Sequence, residues 1–139
     1  MACDRQFTTN GVVAWKGPTK IYKFKAHPDT YAACDYIMGF AGNADGMMQA
    51  IDFFHNPDSY KQCPKLNNMT GIVLTAQGDI FTYDNPQRWM AVSDDYFSIG
   101  SGSIFALGAL AAGADLKTAI KIASERDPYT GMGIKILTW

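Results

Sequence analysis

The sequence has no dense run of basic residues, no apolar segment long enough to cross a membrane and no cysteine framework, and each absence removes a class of function. Lys and Arg number 12 against 13 Asp and Glu, for a formal net charge of −1. The densest basic stretch is "KIYKFK", whose lysines are spaced apart, so neither nucleic acid nor an anionic membrane is expected as a partner. The longest strongly apolar stretch, Ile104 to Ala114, is about 11 residues, where a membrane span needs roughly 20. "MACDRQF" places charges where the apolar core of a secretory leader would lie, and no leader is expected. The cysteines, Cys3, Cys34 and Cys63, are odd in number and far apart, which fits neither a disulfide framework nor a zinc ligand set. A reduced, cytoplasmic compartment without a resident metal or cofactor follows. Internal repeats and low-complexity linkers are also lacking.

What is present is enough apolar material, 47% of 139 residues, to bury a core within one compact domain spanning 1–139. "VVAWKGPTKIYKF" alternates and breaks at Gly17-Pro18, predicting two short strands or a strand and a turn. "YAACDYIMGFAG" predicts a mostly apolar strand entering a Gly-Asn turn. In "NADGMMQAIDFF", Ala44, Met47, Met48, Ile51 and Phe54 recur at three and four residues, the period of an amphipathic helix with both methionines in the core. "GIVLTAQGDIFTYD" predicts a hairpin around Gln77-Gly78, and "YFSIG" a further strand. Two helices follow, Ser103 to Ala112 and Asp115 to Glu125, parted by Gly113. In the second, Leu116, Ala119, Ile120 and Ala123 share a face. "GIKILTW" closes the chain as a strand. Strands and helices in this order predict a layered α+β domain.

The turn "GSGS" at 100–103, between an apolar stretch and a helix, admits three readings: a phosphate cradle, a tight structural corner or part of a catalytic pocket. A Walker-type loop requires a lysine directly after its last glycine, and none occurs before Lys117. A dinucleotide fingerprint requires an acidic partner that is not evident here. Small residues that let a strand turn sharply into a closely packed helix remain a sufficient account of the turn taken alone.

Taken with its surroundings, the turn carries a resemblance. Ile99-Gly100-Ser101-Gly102, two helical segments, and then Arg126-Asp127-Pro128-Tyr129-Thr130-Gly131 leading into a last strand resemble the C-terminal half of the proteasome β subunits and bacterial HslV. These are N-terminal nucleophile hydrolases. "CDRQFTTNGVVAWKGPTKIYKF" resembles that family's stretch from a buried Asp, through a Thr-Thr turn, to a lysine-bearing strand. "FAGNAD" is similar to its F-A-G-x-x-A-D turn, one residue short. The likeness runs over nearly the whole chain and implies an αββα four-layer sandwich of the N-terminal nucleophile hydrolase type, apparently without the first strand.

By this resemblance the reaction is peptide-bond hydrolysis by an N-terminal threonine whose own amine takes up the proton. Lys20 matches an ammonium that depresses the proton affinity of the nucleophile, and Asp4 the acid that pairs with it. Gly42 matches a glycine whose N–H stabilises the oxyanion. Ser101, Asp127 and Thr130 match the groups that orient the terminal amine and its water. The implied partners are a peptide or protein substrate, a homo-oligomeric ring and an ATPase. The family's threonine stands ahead of the residue that Asp4 matches, so the resemblance places the nucleophile upstream of Met1. Thr8 and Thr9, in the turn and without a free amine, do not replace it.

Cys3 could serve only if processing exposed it, and a small buried thiol is the plainer reading. An inactive scaffold or partner-binding protein is the alternative to the peptidase, and a different amide hydrolase on the same fold is a third reading. Retention of Asp4, Lys20, Ser101, Asp127 and Thr130 argues against long decay. Phe40 is expected to wall a substrate pocket. A strand edge beside Asp4 is expected to be unpaired. His27 and His55 read as solvated, and Tyr60, Trp89 and Trp139 as interface, core or rim aromatics.

Overall fold

The computed structural model describes residues 1–9, 12–17, 19–27, 34–59, 68–84 and 88–139. In chain order the elements are β1 (Ala2–Asp4), β2 (Gln6–Thr9), β3 (Val12–Lys16), β4 (Ile21–Phe24), β5 (Tyr36–Gly42), α1 (Ala44–His55), β6 (Met69–Thr75), β7 (Ile80–Asp84), β8 (Arg88–Val92), α2 (Ser103–Ala111), α3 (Leu116–Arg126) and β9 (Ile134–Ile136), with a 3-10 turn at Pro57–Ser59. The fold is mixed α/β with antiparallel sheets. It divides into two compact units, Tyr22–Asp95, and Met1–Ile21 together with Tyr96–Trp139. No helix among the described residues is long and apolar enough to cross a membrane.

The unit from Tyr22 to Asp95 is built on a five-stranded sheet in the order β4-β5-β6-β7-β8, in which β5 to β8 pair antiparallel. β5 is buried at every position from Tyr36 to Phe40, whereas β6 alternates, burying Met69, Gly71, Val73 and Thr75. The β6–β7 connection is the expected tight turn: Gly78 at φ +97 donates its N–H to the carbonyl of Thr75 at 3.0 Å.

α1 starts where Asn43 caps it, its side chain accepting from the N–H groups of Asp45 and Gly46. The helix buries Met47, Ala50, Phe53 and Phe54. Phe54 is the anchor on the sheet, with ring centroids 5.6, 5.7 and 6.2 Å from Phe24, Tyr83 and Tyr36. Truncating a phenylalanine so placed costs roughly 3–5 kcal/mol. Met48 is 59% exposed, so only the first methionine of the pair is core. The apolar stripe is wide enough to satisfy the helical period on two faces, and the sheet takes the one carrying Phe54.

The eighth strand corrects a sequence expectation. "YFSIG" at 96–100 forms no strand, and the edge of the sheet is instead Arg88–Val92, paired to β7 from Asp84 to Ile80. A strand exists only where a partner edge is free. β7 offers one to β8, whose Trp89 packs in the same aromatic cluster, 5.7 Å from Tyr36.

In the other unit, β2 and β3 form a hairpin with a register shift between Phe7 and Thr8. Thr8 and Thr9 are therefore strand residues, not the turn that the resemblance implies. β1 pairs with β9, and among the described residues it is paired on that side only. α3 packs on both of these strands and on α2. The α2–α3 contact is made by alanines, Ala106 and Ala109 against Ala119 and Ala123, small enough for close helix approach. Leu116, expected on this face, is exposed instead. α2 ends in a Schellman motif: Gly113 at φ +87 and Ala114 donate their N–H groups to the carbonyls of Leu110 and Ala109. Asp115 then caps α3, accepting from Thr118 N–H at 2.7 Å.

Candidate functional site

Asp4, Lys20, Ser101, Asp127 and Thr130 all lie in the unit formed by the two ends of the chain, whereas Gly42 lies in the other. Asp4 is the last residue of β1 and Lys20 the residue before β4. Lys20 Nζ is 3.0 Å from each carboxylate oxygen of Asp4, and the two side chains are 17% and 16% exposed. The same ammonium lies 5.3 Å from the ring centroid of Phe7, a cation–π contact. That ring covers Gly17, where a Cβ would collide with it.

Asp127 caps the C-terminal end of α3, donating its N–H to the carbonyl of Ala123. A carboxylate at that end opposes the helix dipole, so its placement needs other donors. It has them. Ser101 Oγ and Thr130 Oγ1 each donate to Oδ2 at 2.6 Å, and Tyr129 N–H donates to Oδ1 at 3.2 Å. Burial pushes the Asp127 carboxyl up, but the hydroxyls of Ser101 and Thr130, the Tyr129 N–H and the charge of Lys20 together outweigh it. The carboxyl is held below its ordinary value. Asp127 and Thr130 are buried and Ser101 is exposed.

The turn at 100–103 is a tight corner that brings Ser101 to Asp127. Gly100 takes φ +93 and accepts the N–H of Ser103 at 3.1 Å, which directs Ser101 toward Asp127. A Cβ on Gly102 would lie 2.5 Å from Thr130 Oγ1 and 3.3 Å from Asp127 Oδ2, so the corner passes close over both groups.

Two residues that sequence reasoning left without a role tie these groups together. Gln6, 7% exposed, donates its backbone N–H to Asp4 Oδ1 at 2.8 Å and its side-chain Nε2–H to the carbonyl of Pro128 at 2.6 Å. Gly131 donates its N–H to Asp4 Oδ1 at 3.4 Å and accepts from Arg5 N–H at 3.0 Å. A buried glutamine inside "DRQFTT" is the only signal the sequence holds for the first of these.

Gly42 ends β5 at φ +112, and a Cβ there would run into the backbone of Asn68, whose carbonyl also accepts the N–H of Asn43 at 2.8 Å. That close approach is a sufficient reason for glycine. Cys3 is half-buried and lies opposite Lys135, and burial pushes its thiol up, with opposing contributions from Lys20 and Thr19. A thiol held protonated is a poor nucleophile. Phe40 is buried, its ring edge-to-face with Phe24. His55 is exposed, its ring tilted against Phe24 at 4.6 Å between centroids, while His27 lies 3.3 Å from Asp58. Trp89 is half-buried in the aromatic cluster and Trp139 exposed, and Tyr60 lies outside the described residues.

The arrangement can hold a positive charge beside a paired carboxylate, and close by a second carboxylate with two fixed hydroxyls. Such groups place and stabilise protons and developing charge.

No protein-family model matches the sequence, and no curated protein matches it. Among solved structures the chain is similar to Anbu from Hyphomicrobium sp. strain MC1, with a TM-score of 0.66 and 12% identity over 96% of this chain and 73% of that one. It is also similar to Anbu in the helical assembly of the Anbu complex from Pseudomonas aeruginosa, with a TM-score of 0.70 and 11% identity over 99% of this chain and 75% of that one. These matches correct the family placement. No family model supports membership of the proteasome β-subunit and HslV family, and these two solved structures are of Anbu at 11–12% identity. Identity this low establishes the fold alone: a mixed α/β chain with antiparallel sheets, folded like these Anbu structures.

Proposed function

We propose that the chain supplies the charge-placing groups of an amide-bond hydrolase of the N-terminal-nucleophile type, acting on peptide or protein substrates. Lys20 lowers the proton affinity of a hydroxyl nucleophile by its charge, Asp4 holds the ammonium in place, and Ser101, Asp127 and Thr130 orient an amine or water that carries the proton. No residue from 1 to 139 is assigned the nucleophile. A single domain with the αββα sandwich is the finer form of the fold that this reading adopts.

The observation that supports it is the Asp4–Lys20 pair set beside Asp127 and its two hydroxyls. A pair so little exposed seldom stabilises a fold better than apolar residues of the same volume, so its presence asks for another reason. The test is release of product from a fluorogenic peptide, with intact-mass detection of covalent uptake of an epoxyketone or β-lactone. Hydrolysis that Lys20→Ala lowers on the order of 100-fold is the result expected. Folded protein isolated from its own cells that neither hydrolyses peptides nor takes up the reagent counts against it.

A second reading, a non-catalytic assembling subunit, has its own support. The outward face of α2 is apolar, with Ile104 71% and Phe105 39% exposed, and the Pseudomonas aeruginosa Anbu complex forms a helical assembly. Native mass as a function of concentration, with Ile104→Glu as the disrupting variant, tests it.

A further inference from the structure

We infer that Gln6 is a positioning residue: its side-chain amide fixes the 127–131 loop against the strand that follows Asp4, so that the Asp4–Lys20 pair and Asp127 keep one mutual geometry. This rests on the reading of Asp4, Lys20, Ser101, Asp127 and Thr130 as one site.

The bonds run in both directions from a single residue. Its backbone N–H is on Asp4 Oδ1 at 2.8 Å and its Nε2–H on the carbonyl of Pro128, next to Asp127, at 2.6 Å. A carbonyl only accepts, so the nitrogen end of the amide is the end that faces Pro128. The oxygen end then lies against Gly131, where a Cβ would stand 2.9 Å from Oε1. A side chain at 131 would push the amide away, and the loop that presents Thr130 would lose its fastening. Gln6 touches neither the ammonium of Lys20 nor the Asp127 carboxylate in any bond described here, and acts through the backbone that carries them.

The full chain, labelled with ¹³C and ¹⁵N, provides the test. Gln6→Met keeps the volume and removes the amide. The Asp127 carboxyl carbon is then expected to titrate at higher pH than in the unaltered protein, as its hydroxyl donors shift away. In Gln6→Glu the introduced carboxyl can donate to Pro128 while protonated and cannot once ionised. Amide shifts of Tyr129 to Gly131 close to those of the unaltered protein at low pH, displaced reversibly at high pH, are expected. A merely structural role predicts lower stability in both variants with neither effect, and that result overturns the inference. Should both variants fail to fold, exchange of the Gln6 side-chain amide protons in the unaltered protein decides: slowed exchange supports the bond to Pro128, and exchange at the rate of a free glutamine overturns it. Peptide hydrolysis is measured alongside. Its absence in the unaltered protein counts against the hydrolase reading, while the titration still judges Gln6.

Discussion

Lys20 Nζ stands equidistant, at 3.0 Å, from the two carboxylate oxygens of Asp4. The pair joins the end of β1 to the start of β4, and neither partner has much water to fall back on. Removing one charge leaves the other unpaired, so Lys20→Met is predicted to cost about 3 kcal/mol in urea unfolding. The double replacement Asp4→Leu with Lys20→Met should cost less than the two single changes added together. Additive losses would show that the two side chains do not act as a pair.

Gly102→Ala is predicted to destabilise by roughly 1–3 kcal/mol, because the new methyl group meets Thr130 Oγ1 and Asp127 Oδ2, and helix α3 at Ala123. The same change should pull Thr130 off Asp127. Unchanged thermal stability would mean that the corner at 100–103 does not pass where it is described.

Acid should expose the Asp127 network. A carboxyl held below its ordinary value stabilises the fold above the unfolded value, and this contribution disappears as pH falls through the folded value. The loss should therefore set in below about pH 4. Ser101→Ala combined with Thr130→Val removes two of the donors and should flatten the decline. Unfolding midpoints measured from neutral to acid pH check this, and parallel curves for both proteins would refute it.

Gly42→Ala places a side chain at φ +112 against the backbone of Asn68 and is predicted to cost roughly 1–3 kcal/mol through strain alone. Calorimetry reads it directly. A neutral result would remove the close approach as the reason for glycine.

Much of the fold is legible in the sequence where short-range signals suffice. The β6–β7 hairpin announces itself through Gly78, α3 through its capping Asp115, and the end of α2 through Gly113. β1 and β8 are not legible, because "ACD" and "RWMAV" carry no periodicity of their own and become strands only through partners. For β1 that partner is β9, at the far end of the chain. "YFSIG" fails for the converse reason: it has strand-like residues but pairs with no strand among the described residues. The site is non-local in the same way. Asp4 meets Lys20 across a hairpin, and Asp127 meets Ser101 across two helices, so neither spacing nor composition reveals them. The motif likeness to nucleophile hydrolases picked out these residues, although no family model supports the family it named. Gln6 escaped even that, since its role depends on a carbonyl in a distant loop.

The most direct measurement is peptide hydrolysis by the protein isolated from its own cells, run beside a Lys20→Ala variant shown by circular dichroism to be folded. The account predicts turnover by the unaltered protein and a loss on the order of 100-fold in the variant. Equal rates in the two, or no turnover in either, would contradict it.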